Sequence, residues 1–224
     1  MKRLFLATAV LALAIPAMAS EATFDRTLTV SGRVELSVGT GSGNVHITPG
    51  PDNRVHVIGK VRSTWGDSDE RVRQIAANPP IEQAGNIIHI GKHHDGDNEG
   101  MHHVSIDYEI EAPANSYLDA SSGSGNVTDD GVGENSKLNT GSGEIKVAGA
   151  PTGGWRLETG SGRVELWVGD APLTLDAETG SGGIHTDREM LTQGSMNTHH
   201  VTGKLNGGGP TVRIETGSGE IRIH

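Results

Sequence analysis

The sequence contains no cysteine, which excludes disulfides, thiolate metal sites and a lipid attached through an amino-terminal Cys. Rings are scarce too. Two Phe, two Tyr and three Trp in 224 residues cannot furnish an ordinary aromatic core, so aliphatic side chains stacked on short strands are expected instead. Positive charge is in deficit, with 18 Lys and Arg against 28 Asp and Glu. A net charge of −10 argues against nucleic acid or anionic lipid as partner, since both require a basic patch.

The longest apolar run stands at the start of the chain. Lys2 and Arg3 precede an almost wholly apolar Leu4–Ile15, and Ala17-Met18-Ala19 supplies the small residues a signal peptidase reads. About a dozen apolar residues are too few to span a bilayer, which needs roughly 20 in a helix. A cleavable leader cut after Ala19 is therefore expected, with no membrane span left after cleavage. The mature chain would then be periplasmic or secreted. Loss of Lys2 and Arg3 takes the net charge from −10 to −12.

What the sequence has in abundance is glycine, 33 residues of it, much of it in one recurring element. "LNTGSGEIKV" at 138–147 returns as "LETGSGRVEL" at 157–166. Copies or near copies of "TGSG" carry the glycine pairs Gly41/Gly43, Gly123/Gly125, Gly141/Gly143, Gly160/Gly162, Gly180/Gly182 and Gly217/Gly219. Successive gaps are 82, 18, 19, 20 and 37 residues, and a period near twenty marks a solenoid whose units bury their apolar faces on one another. In "WRLETGSGRVELWV", Trp155, Leu157, Val164, Leu166 and Val168 alternate with polar residues on either side of the glycines, which selects strand over helix. "TGSG" is thus the expected corner of each coil, where glycine would supply a positive φ and the hydroxyl residue would bond to neighbouring backbone. The double gap before Gly217 predicts a degenerate corner at "MNTHHV", Met196 to Val201. Narrow coils of about 17–20 residues follow from the spacing.

The amino-terminal half departs from the repeat. "VELSVGTGSGNVHI" reads as a coil and "RVHVIGKV" as a strand. "DSDERVRQIAANPP" reads as a short helix, capped by Ser68 and stopped by Pro79-Pro80, with Val72, Ile75 and Ala76 on one face. "NIIHIGKHHDGDNEGMHHVSIDYEIEAP" is expected as a β-hairpin with a long polar tip. The expected organisation is a leader at 1–19, a β-rich part with helix and hairpin at 20–112, and a continuous repeat solenoid at 113–224.

The "L-x-T-G-S-G-x-I-x-V" units and the closing "GKLNGGGPTVRIETGSGEIRI" resemble a bacterial domain-of-unknown-function family described as a "putative adhesin", whose members are β-strand-repeat envelope proteins. The resemblance covers most of residues 24–224. It implies a right-handed parallel β-solenoid in the cell envelope and carries over no catalytic residue.

Two side-chain groups invite a functional reading. Glu144 and Arg163, and Lys146 and Glu165, occupy equivalent positions in successive coils. They are expected to form a cross-strand charge ladder rather than the opposed carboxylate pair of a glycosidase. Histidine is plentiful, with eleven residues. His93, His94, His102 and His103, with Asp95 and Asp97, would meet across the hairpin tip, and imidazole with carboxylate suits Zn²⁺, Ni²⁺ or Cu²⁺. His185, His199 and His200 form a weaker second group, expected on neighbouring coils. "GTGSG" is no dinucleotide fingerprint, because no helix follows it.

The sequence therefore predicts a non-enzymatic β-solenoid serving as a structural or interaction module. Its expected partner is an envelope protein or a glycan, or a second copy through the solenoid ends. A metal-binding protein using the four hairpin histidines is the alternative, and a carbohydrate-active β-helix enzyme fits worst.

Overall fold

Alternating apolar residues on both sides of each "TGSG" produce two strands per repeat, one on each side of the corner. The computed structural model describes residues 21–64, 69–91, 104–187 and 197–224. Strand β1 (Glu21–Thr29) is followed by β2 (Glu35–Thr40), β3 (Val45–Gly50) and β4 (Arg54–Ser63), then by helix α1 (Asp69–Ala77). Next come β5 (Ile81–Ala84), β6 (Ile87–Gly91) and β7 (Val104–Pro113). The repeat region supplies β8 (Tyr117–Ser122), β9 (Val127–Asp129), β10 (Asn135–Thr140), β11 (Ile145–Ala148), β12 (Trp155–Thr159) and β13 (Val164–Trp167). It ends with β14 (Leu173–Ser181), β15 (Ile184–Thr186), β16 (His200–Leu205), β17 (Thr211–Ser218) and β18 (Ile221–Ile223).

These strands form two nine-stranded sheets, so the described residues are all-β with one helix. The first sheet runs β1-β4-β7-β3-β9-β11-β13-β18-β15 and the second β16-β14-β17-β12-β10-β8-β2-β6-β5. Pairing is parallel except at the margins, where β1–β4, β4–β7, β5–β6 and β14–β16 are antiparallel. Antiparallel edge strands cover ladders that would otherwise offer a parallel template. Inward residues such as Val45, Val127, Ile145, Val164 and Ile221 of the first sheet are buried, as are Leu36, Leu118, Leu138, Leu157 and Ile214 of the second. Phe24 lies edge-on to Tyr108, with ring centroids 6.3 Å apart. Its ring also covers Gly59, where a Cβ would fall 2.0 Å from Phe24 Cζ. Helix α1 buries Val72, and its carboxyl end, which lacks a basic residue of its own, receives Arg26 Nη2 on the Ala77 carbonyl at 3.2 Å. Ser68, the expected cap, lies outside the described residues.

The corners work differently from the sequence expectation. Of the twelve corner glycines only Gly182 has a positive φ, 148°. Glycine is needed for contact instead. A Cβ on Gly162 would lie 1.8 Å from the Gly143 carbonyl oxygen, and one on Gly219 would lie 1.8 Å from that of Gly162. Gly125 on Gly43, Gly143 on Gly125 and Gly182 on Gly219 repeat the approach at 1.9–2.0 Å. The first glycines of each pair stack likewise but less tightly, at 2.3–2.6 Å. The buried hydroxyls bind the same column together. Thr140 Oγ1 accepts the Gly143 N–H (3.1 Å) in its own corner and donates to the Gly125 carbonyl (2.8 Å) of the next coil. Ser122 acts in the same way on Gly125 and Gly43.

Three further expectations are corrected. Residues 86–113 form no hairpin, because β6 pairs with β2 in one sheet while β7 pairs with β3 and β4 in the other. The hairpin in this half is β5–β6, turning at Gly85-Asn86 with Gly85 at φ 65°. "MNTHHV" forms no corner: Asn197 Oδ1 accepts the His199 and His200 N–H groups, and β16 then runs antiparallel along β14. The coils also do not stack in chain order. β17 lies between β12 and β14, so the last repeat inserts between the two that precede it. At the other end β2 lies between β6 and β8.

One inward position breaks the apolar rule. Asp129 is fully buried in register with Ile47 and Val147; its Oδ1 accepts the Gly131 (3.2 Å) and Val132 (2.8 Å) N–H groups, bending the chain out of β9. Its Oδ2 has no partner among the described residues. Burial raises its pKa from 3.8 to about 7, against the lowering effect of the two backbone N–H groups. Because the folded value exceeds the unfolded one, the stability Asp129 contributes is complete below pH 3.8 and is lost as pH rises toward 7.

Two outcomes follow for stability. Asp129→Asn retains the Oδ1 acceptor and removes the ionisation, so it should raise the urea midpoint at pH 8 and flatten its decline between pH 4 and 7. An unchanged pH profile would contradict the burial argument. At the corners, Gly162→Ala should cost about 1–3 kcal/mol through overpacking, Gly160→Ala less, and Ser161→Ala under about 0.5 kcal/mol as an exposed site. Equal urea midpoints for Gly162→Ala and Ser161→Ala would overturn the contact explanation.

Candidate functional site

Among the described residues the inward positions are committed to packing, to the corner column or, at Asp129, to a buried turn, which leaves the two outer sheet faces as the candidate site. On the first sheet the residues after each corner form a continuous charge network. Glu144 meets Lys146 at 2.9 Å and Arg163 at 3.8 Å; Arg163 reaches Glu165 at 3.7 Å and Glu220 at 3.5 Å. Glu220 in turn meets Arg222 at 2.9 Å and His185 at 3.2 Å. Arg222 holds the Glu220 carboxyl below its ordinary pKa, and Glu144 raises that of Lys146. These pairs are solvent-facing, and each is worth well under a kcal/mol. The reach from Glu144 to Arg163 is the cross-coil contact expected from the sequence, while Glu220 joins the network because β18 lies beside β13.

The second sheet carries a similar pattern. Lys137 faces Asp119 at 3.7 Å, while Arg156 pairs with Glu158 and Arg213 with Glu215. Glu158, Glu215 and Glu178 are in register on three adjacent strands. They line a shallow depression of about 560 Å³ together with Asn139, Arg213 and the corner threonines and glycines.

Histidine is used as a cross-strand partner for carboxylates. His46 meets Asp130 at 2.8 Å, His56 meets Asp25 at 2.8 Å, His200 meets Asp176 at 3.1 Å and His224 meets Asp187 at 2.8 Å. Residue spacing in the sequence gives no hint of these pairs, because each depends on strand register. His93, His94, His102 and His103, expected as metal ligands, lie outside the described residues; they fall in the segment joining β6 of one sheet to β7 of the other. His185 and His200 are not brought together, since β15 and β16 belong to different sheets, and His199 precedes β16. Among the described residues no three His, Asp or Glu side chains form a metal-binding group.

Two rings are exposed among the described residues, Tyr117 and Trp167, and Trp167 is the one with a stacked partner. Trp167 is 38% exposed on the outer face of β13, and its indole stacks on His224 with centroids 5.1 Å apart and planes 15° from parallel. By contrast Trp155 is buried and donates its Nε1–H to the Gly133 carbonyl at 3.2 Å. The alternation that places Leu166 and Val168 inward already implied that Trp167 faces out.

A putative cell adhesion protein from Clostridium sporogenes shares this architecture, with a TM-score of 0.63 at 15% identity over 90% of this chain and 99% of its own. A putative adhesin from Bacteroides fragilis (13% identity, TM-score 0.31) covers 91% of this chain and 97% of its own. A putative lipid binding protein from Parabacteroides distasonis (13%, 0.32) covers 92% and 97%. No curated protein matches the sequence. The family model described as Toastrack DUF4097 matches residues 11–224, and the chain belongs to that family.

Proposed function

We propose that the chain is an exported, non-enzymatic module of the cell envelope, a right-handed β-solenoid that binds other envelope or surface components through its outer sheet faces. Right-handed winding is the strong preference for parallel strands joined by crossovers. The observation that carries the functional reading is the use of the polar side chains. On the first sheet the outer charges alternate in sign at equivalent positions of neighbouring coils, Glu144, Arg163 and Glu220, and on the second Glu158, Glu215 and Glu178 recur in register. The broad depression on the second sheet is built from such repeat-equivalent residues. A rigid, extended, polar-rimmed face suits contact with a large partner. The Clostridium sporogenes protein of the same fold is described in the same direction, as a putative cell adhesion protein.

The test is export followed by binding. Expressed in a Gram-negative host, the full chain should mature to a form beginning at Ser20, read from its intact mass. The purified mature protein should then sediment saturably with isolated cell envelopes, and heat-unfolded protein should not. Retention of Met1 in the cytosol would overturn the export reading, and absence of saturable sedimentation would overturn the interaction reading.

A further inference from the structure

We infer that the outer face around Trp167 is a glycan-binding slot that holds one pyranose ring against the open side of the indole. This inference rests on the interaction-module reading and gives it a site and a ligand class.

The slot follows from strand order. On the first sheet Ala148 and Trp167 are register partners on β11 and β13, and Asp130, His224 and Asp187 continue the row one residue beyond the ends of β9, β18 and β15. Trp167 is stacked on His224, and His224 is held by Asp187 at 2.8 Å, so the indole is fixed in orientation before any ligand arrives. On its other side the next residue in the row is Ala148, a single methyl. The chain then continues into Gly149, whose N–H donates to the Trp167 carbonyl at 2.9 Å and whose Cβ position would come 3.1 Å from Gly131 Cα. Small residues thus make a low floor beneath the free face of the ring. The far wall is Asp130, tied to His46 at 2.8 Å. Two strand spacings separate Asp130 from Trp167, roughly 9–10 Å. That width admits one saturated six-membered ring at van der Waals distance from the indole, with room for a hydroxyl to reach the carboxylate.

The chemistry of the walls selects the ligand. An indole face attracts the C–H groups on the flat side of a pyranose, and the same sugar presents hydroxyls at its rim. Asp130 accepts from those hydroxyls, and Lys146 and Glu165, one outward position earlier on β11 and β13, extend the polar rim. Both carboxylates in the row, Asp130 and Asp187, already have a histidine partner, so the slot does not present a bare anionic site for a cation. Among the described residues the exposed rings are Trp167 and Tyr117, while Phe24, Tyr108 and Trp155 are spent on packing; of the exposed pair Trp167 is the one held by a stacked partner.

The test uses the mature protein with cellohexaose, chitohexaose and maltohexaose, and with choline and adenosine as non-sugar probes. Binding is read from tryptophan fluorescence and from the indole N–H signal of Trp167 in ¹⁵N-labelled protein. At least one hexasaccharide should shift that signal saturably. Trp167→Ala should weaken its binding tenfold or more, followed by calorimetry because the reporter is lost. Ala148→Leu, which fills the floor and keeps the ring, should do the same, with both variants retaining the wild-type thermal midpoint. No saturable response to any of the three sugars, an equal affinity in Ala148→Leu, or a response to choline or adenosine alone would overturn the inference. Envelope sedimentation separates the two readings. If Trp167→Ala still sediments as wild type does, the slot is wrong and the module stands; if wild type binds a hexasaccharide through Trp167 but no envelope, the slot stands and the module reading fails.

Discussion

The structure depends on how closely each corner glycine packs against the carbonyl oxygen of the strand beside it. At the second glycine of each corner there is no room for even one carbon, as the 1.8 Å between a notional Gly162 Cβ and the Gly143 oxygen makes plain. This contact brings consecutive corners to strand spacing, which allows the two parallel ladders on either side to close. The hydroxyl residue before each glycine pair then spans the gap by donating to a carbonyl of the neighbouring strand, and Thr40, Ser122 and Thr140 also accept an N–H of their own corner. Burial of Val, Ile and Leu between the sheets supplies the main stabilisation. The corners determine which strands can be neighbours, and so which outward side chains meet.

Much of this was legible in the sequence, for local reasons. Alternation around "TGSG" gave the strands, and two acidic residues followed by Val72 and Ile75 and then by Pro79-Pro80 gave the helix. The same alternation, with Leu166 and Val168 inward, leaves Trp167 on the outer face, although nothing in the repeat singled it out. The reason for glycine was misread, because φ and close approach leave the same mark in a sequence: both demand the absence of a side chain. Only the stacked backbone separates them.

The order of the coils could not be read, and the cause is the repeat itself. β12, β14 and β17 each offer inward aliphatic residues, Leu157, Ala177 and Ile214, in the same place before the same corner. Sequence similarity among units means that neighbours are interchangeable by pattern, so chain order is not a constraint on spatial order. The 37-residue gap before Gly217 marks a detour, in which the chain leaves the stack as β16 along the edge and returns inside it as β17 and β18. The amino-terminal half does likewise, going out through β4, β5, β6 and β7 and returning at β8. A hairpin read into residues 86–113 assumes local pairing where the structure sends β6 and β7 to different sheets. The His–carboxylate pairs were hidden for the same reason: His224 and Asp187 lie 37 residues apart and meet only because β18 has entered beside β15.

The absence of cysteine gives a clean measurement of this arrangement. Ser161, Ser218 and Ser181 are exposed at the corners of β12, β17 and β14, in that spatial order. Neighbouring corners lie about 4.8 Å apart, within the Cα separation a disulfide spans, whereas the outer two are about twice as far apart and beyond it. Under mild oxidation the double variants Ser161→Cys/Ser218→Cys and Ser218→Cys/Ser181→Cys should cross-link within one chain, and Ser161→Cys/Ser181→Cys should not. Efficient cross-linking of 161 to 181, with none between 161 and 218, would mean that the coils stack in chain order and would contradict the inserted last repeat.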